Sequence, residues 1–137
     1  MYSLKDYINY RIERAEATFR DAVILFNTKS WNSCVNRLYY ATFYMVSALL
    51  LINEFEAKSH NGVRIIFFKE FIKNGEIDKK FGKLYTDLFT WRNEGDYADF
   101  IDFDEEIVTS VLPFTKEFLE LIREKIEQSQ LFEQNNK

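Results

Sequence analysis

The chain has 137 residues, 47% of them apolar and 18% aromatic, with a formal net charge of −4. That is enough for one well-buried core and too little for two, and four glycines with one proline supply few of the tight turns that a sandwich or barrel needs. A single cysteine, Cys34, excludes an intramolecular disulfide, and Met1-Tyr2-Ser3-Leu4-Lys5-Asp6 lacks a secretory signal pattern, so a reducing cytoplasm is the expected compartment.

The first predicted helix spans about Leu4 to Phe26, where Ile8, Ile12, Ala15, Phe19, Ala22 and Phe26 recur every three or four residues as a narrow core-facing seam. Asn27-Thr28-Lys29-Ser30 breaks the pattern, and Ser30 is the expected N-cap of a second helix running to about Asn53. One stripe of that helix holds Trp31, Val35, Leu38, Thr42, Met45, Leu49 and Ile52, and Tyr40, Phe43, Tyr44, Ala48 and Leu51 add another. Between Tyr39 and Ile52 it is therefore apolar nearly all round, which buries it on several sides, at the centre of a bundle or against a second subunit. Its uncharged run, Leu38 to Asn53, falls short of the roughly 20 residues of a membrane span and carries Tyr39, Tyr40 and Tyr44.

Glu54 to Asn61 reads as a polar connection holding the only histidine, His60, with His60 or Ser59 capping a short helix from about Gly62 to Ile72. Asn74-Gly75 ends that helix, and a fourth runs from Asp78, its N-cap, to about Asn93. On it Phe81, Leu84, Tyr85, Leu88 and Arg92 share one face, so a guanidinium emerges from the dry stripe and needs a partner. Glu94 to Glu106 then holds seven acidic residues and no basic one, leaving 18 basic against 15 acidic residues elsewhere, a net +3 that permits a basic surface for an anion. Asp99, Asp102 and Asp104 lack the glycine and spacing of a calcium loop and read as a solvated segment with a helix cap. The last helix covers about Asp104 to Ser129, with Ile107, Val111, Phe114, Phe118, Ile122 and Ile126 on its dry face and Pro113 interrupting its hydrogen bonds. The expected architecture is all-α: an antiparallel bundle of about five helices, four long and one short, forming one domain over residues 1–128 with a polar, frayed tail over 129–137. No cofactor or metal is expected.

Three segments together resemble the HEPN family, the helical "higher eukaryotes and prokaryotes nucleotide-binding" domains, in its compact stand-alone prokaryotic branch. They are Asn36-Arg37-Leu38-Tyr39-Tyr40-Ala41-Thr42-Phe43-Tyr44 with the following Leu49-Leu50-Leu51, then Lys58-Ser59-His60-Asn61-Gly62-Val63, and finally Trp91-Arg92-Asn93-Glu94-Gly95-Asp96-Tyr97. The resemblance implies a helical homodimer, often paired with a nucleotidyltransferase-like partner in a toxin-antitoxin or RNA-related defence module. In members that cut RNA, an arginine is followed four to six residues later by a histidine at the dimer interface. Arg92 and Asn93 match the start of that motif, but Asp96 and Tyr97 stand where the histidine belongs. In some related systems the partner modifies a tyrosine near this motif, and the resemblance offers Tyr97 as the candidate target.

The candidate site is thus Arg92 and Asp96 as catalytic or phosphate-binding groups, with Asn93, Tyr97 and His60 as ligand-binding residues. Against it stand ordinary structural roles: an ion pair between Arg92 and Asp96, helix ending at Asn93, and helix capping near His60. Tyr39, Tyr40, Phe43 and Tyr44 suit core or dimer packing better than base stacking. The leading functional expectation is binding of RNA or nucleotide phosphate; the alternatives are a non-catalytic interaction or nucleotide-binding module, and a metal-independent endoribonuclease with a degenerate motif.

Overall fold

A computed structural model describes residues 1–97 and 102–135, with the backbone alone for 93–97 and 131–135. Helix α1, Leu4–Asn27, begins with a reciprocal cap in which the Ser3 hydroxyl accepts from the Asp6 amide and the Asp6 carboxylate accepts from the Ser3 amide. Ile8, Ala15 and Ala22 of the expected seam are buried, Thr18 is buried beside them, and the small side chains let α2, Trp31–Ile52, lie close against it. The turn between them closes without glycine: the Ser30 amide reaches the Leu25 carbonyl at 2.9 Å while Lys29 takes φ 60°. Glu54, at φ 63°, plays the same part after α2, where the Phe55 amide reaches Leu50 O. Ser30 does precede α2, but its hydroxyl is 3.1 Å from Thr28 Oγ1 and caps no α2 amide, because Ser30 is committed to closing α1.

Helix α3, His60–Phe67, starts two residues earlier than its periodicity suggests and passes into a π-helical turn, Phe68–Ile72, closed by Lys73 N to Phe68 O at 2.8 Å. Gly75 at φ 81° ends it, as expected. Helix α4, Lys79–Tyr97, is capped by Asp78 Oδ1 on the Lys80 amide and carries on through Asn93 and Gly95, so neither residue ends it. Helix α5, Glu105–Asn135, is capped by Asp104 on the Ile107 amide and extends past the expected end near Ser129. Ile107 is exposed and Val108 is buried in its place, so the α5 stripe enters the core one residue later than its apolar pattern implies. Asn32 pins the chain before α5 to the start of α2: it accepts from the Phe103 amide and donates to Asp102.

The described residues are thus all-α, and α2 touches every other long helix and α3. Length and composition alone would let α2 cross a membrane, with mean hydropathy 1.3, but 67% of that stretch is buried in the bundle. The core beneath it is aromatic: Phe67 packs on Tyr85 and Phe118, and Phe118 on Phe81. Gly82 of α4 lets the π-turn approach, since a Cβ there would meet Phe68 at 3.0 Å and Ile72 at 3.3 Å. Gly82→Leu is expected to cost about 1–3 kcal/mol through overpacking, read as a lower denaturant midpoint at unchanged slope. An unchanged or raised midpoint would show that the π-turn yields instead.

Candidate functional site

Arg92 leaves the buried stripe of α4, formed by Phe81, Leu84, Tyr85 and Leu88, and crosses to α2. Its Nη2 donates to the Tyr40 hydroxyl at 2.9 Å, and its guanidinium lies 5.5 Å from the Tyr40 ring and 5.8 Å from the Tyr39 ring. A second guanidinium, Arg37, lies 5.0 Å from the same Tyr40 ring and is held by Asn36 through Nε and Nη2. The Asn93, Asp96 and Tyr97 side chains lie outside the described residues; the backbone places 96 one helical turn beyond 92.

His60 reaches the same tyrosines from α3. Ser59 makes this possible: its hydroxyl accepts from the Gly62 amide at 2.9 Å and starts the helix at His60, and a Cβ on residue 62 would crowd that oxygen at 3.0 Å. The imidazole stacks on Phe43 at 4.1 Å and 18° and meets the Tyr40 ring edge-on. Its Nδ1 is 2.8 Å from the hydroxyl of Tyr39, which is fully buried. Burial pushes the Tyr39 hydroxyl far above its ordinary pKa, and Arg92 only partly opposes that. Tyr39 therefore keeps its proton and can donate it to Nδ1, an assignment that puts the imidazole proton on Nε2.

Both desolvation and the Arg92 charge lower the His60 pKa, desolvation being the larger cause. The imidazole is consequently neutral at pH 7. Arg64, one turn after His60 on α3, completes the cationic set: its guanidinium lies 4.9 Å from the Phe89 ring and donates to Asn61, while its Nε is buried without an acceptor. The described ion pairs, Lys80–Glu117, Lys83–Asp87, Arg123–Glu16 and Arg123–Glu127, all lie elsewhere. Arg37 and Arg64 thus rest on rings and amides with no described carboxylate within 4.0 Å.

Other candidates do not join this site. Asp104 caps α5 and Asp102 is exposed beside Asn32, while Asp99 lies outside the described residues. Cys34 is buried, donates to Ala22 O, and has its thiol pKa pushed up to about 11 by burial, which suits packing and not nucleophilic attack.

The HEPN domain profile matches residues 8–125. The chain belongs to the HEPN family. Among relatives, a UPF0332 protein of Thermotoga maritima is 40% identical over 88% of this chain and 91% of its own. Two proteins of Methanocaldococcus jannaschii named as candidate toxins are 37% identical over 69% of this chain and 65% of their own in one case, and 30% over 91% and 92% in the other. In this HEPN protein, sequence spacing singled out Arg92 and His60 separately; it assigned Tyr39 and Tyr40 to packing and passed over Arg37 and Arg64. The available signal was positional: Arg64 follows His60 by one turn, and Arg37 precedes Tyr40 by three residues.

With one histidine in the chain, a single NMR titration reads this site. The His60 midpoint is expected below the ordinary value near 6.5, and Arg92→Gln should raise it without restoring 6.5, because burial remains. A lowered folded-state pKa means that His60 adds stability in full above about pH 6.5 and loses it as pH falls toward the folded pKa. Nitrogen shifts should show the Nε2–H tautomer in wild type and a mixture in Tyr39→Phe; the same tautomer in both would remove Tyr39 from the account.

Proposed function

We propose that this HEPN protein is the toxin-like component of a two-part module, and that its Arg92–His60 site binds the phosphates of RNA. The observation that carries this reading is the meeting of Arg92 and His60 on Tyr39 and Tyr40, flanked by Arg37 and Arg64, on a protein of net charge −4. Cations settled on aromatic rings, without described carboxylates at Arg37 and Arg64, suit an anionic ligand better than a structural ion pair. His60 stands in for the histidine that the Arg92 motif lacks, reaching the arginine from another helix.

The chemistry favours binding over cutting. Metal-free cleavage needs a base for the ribose 2′-hydroxyl and an acid for the leaving oxygen. In this reading the Tyr39 hydroxyl donates to Nδ1, so that His60 presents an N–H at Nε2, a good donor to a phosphate oxygen and a poor base. Asp96, Asn93 and Tyr97 complete the pocket in this reading, within a homodimer that works beside a nucleotidyltransferase-like partner in the cytoplasm. The likeness to relatives named as candidate toxins supports the module.

Fluorescence anisotropy with a labelled single-stranded RNA tests the proposal. Arg92→Ala should weaken binding by about 10- to 100-fold, the worth of a charged hydrogen bond, with unchanged circular dichroism. RNA that binds neither protein, or both alike, would sink the phosphate site. Cleavage by wild type that Arg92→Ala abolishes would instead establish the endoribonuclease.

A further inference from the structure

From His60 an open groove of about 980 Å³ runs along α1, and its lining includes Tyr7, Tyr10, Arg11, Phe43, Tyr44 and Lys58. We propose that this groove is a nucleobase subsite, where bases of a single-stranded RNA extending from the Arg92–His60 site stack on Tyr7, Tyr10, Phe43 and Tyr44. This deepens the phosphate reading and rests on it for the direction of the strand.

Core packing accounts for part of Phe43 and Tyr44 but not for Tyr7 and Tyr10. Tyr7 and Tyr10 lie off the Ile8–Ala15–Ala22 seam and are 51% and 60% exposed, one turn apart on the same helix. On the α2 wall, Phe43 is covered on one face by the His60 imidazole and meets Tyr44 at 5.8 Å, so half-buried π surface opens toward the groove. Arg11 and Lys58 lie on the lining with the rings, and Arg14 stands beside them on α1. Arg14 lies 5.2 Å from the Tyr44 ring and donates to its hydroxyl, Arg11 donates to Ser47 O, and neither these nor Lys58 has a described carboxylate within 4.0 Å. Of the two acids on the lining, Asp6 is occupied by the α1 cap, leaving Glu13.

Rings interleaved with positive charge are what a single strand needs, since every base offers a π face and every linkage a negative charge. Asn9, Arg11 and Lys58 on the lining offer donors to the sugar and phosphate of a strand whose bases meet the rings. The volume also suits a ligand of nucleotide size.

Two labelled oligoribonucleotides on the same sugar-phosphate backbone, one of uridines and one abasic, separate stacking from charge. Wild type should bind the base-bearing strand at least about tenfold more tightly, the order expected for one stacked base. Tyr7→Ala with Tyr10→Ala should remove that preference, and Tyr7→Phe with Tyr10→Phe should keep it. Both tyrosines are exposed, so folding is not at stake. Equal binding of the two strands by wild type would overturn the subsite. So would an Ala pair that changes molecular mass in light scattering while leaving the preference intact. If Arg92→Ala weakens both strands alike and the tyrosines do nothing, the phosphate site stands and the groove falls. A tyrosine-dependent preference with unaltered abasic binding in Arg92→Ala upholds the groove and removes the phosphate site.

Discussion

The fold turns on one requirement: α2 must hide almost its whole circumference. Leu38, Tyr39, Ala41, Thr42 and the unbroken run Met45 to Leu50 are buried, so helices must surround it. Helices α1, α4 and α5 supply three sides and α3 covers part of a fourth. At the level of Tyr40, Phe43 and Tyr44 the cover is incomplete, and those rings are half-buried. The polar site lies at this gap, where side chains of α3 and α4 can reach α2 without crossing the core.

That position explains the electrostatics. A histidine fully in water would keep its ordinary titration, and one fully enclosed would have no access to a ligand. His60 is half-buried, between an apolar ring on one side and a guanidinium nearby, so its charged form is disfavoured twice. The neighbouring arginines lie against aromatic faces, which repel no cation.

Helix order and the dry faces were legible because period and burial agree over long stretches: the α1 seam and the α4 stripe are where the apolar spacing puts them. Boundaries failed where a residue had a stronger obligation. Ser30 closes α1 instead of capping α2, and Gly95 sits inside a helix that its propensity alone would end. The site was half legible. Arg92 betrayed itself by standing on an apolar face, but the approach of His60 depends on the packing of α3 over α2, which leaves no mark in residue spacing. A histidine supplied by a different helix escapes any pattern that counts residues forward from the arginine.

Two guanidiniums rest near the Tyr40 ring, one on its own helix and one from α4. Long cationic side chains ordinarily surrender considerable rotational freedom when they close on a ligand, and that loss subtracts directly from affinity. Here part of that loss is met during folding, since the Tyr40 ring holds Arg92 from α4 and, together with Asn36, Arg37. Tyr40 is thereby the residue through which the rigidity of the core is passed to the surface.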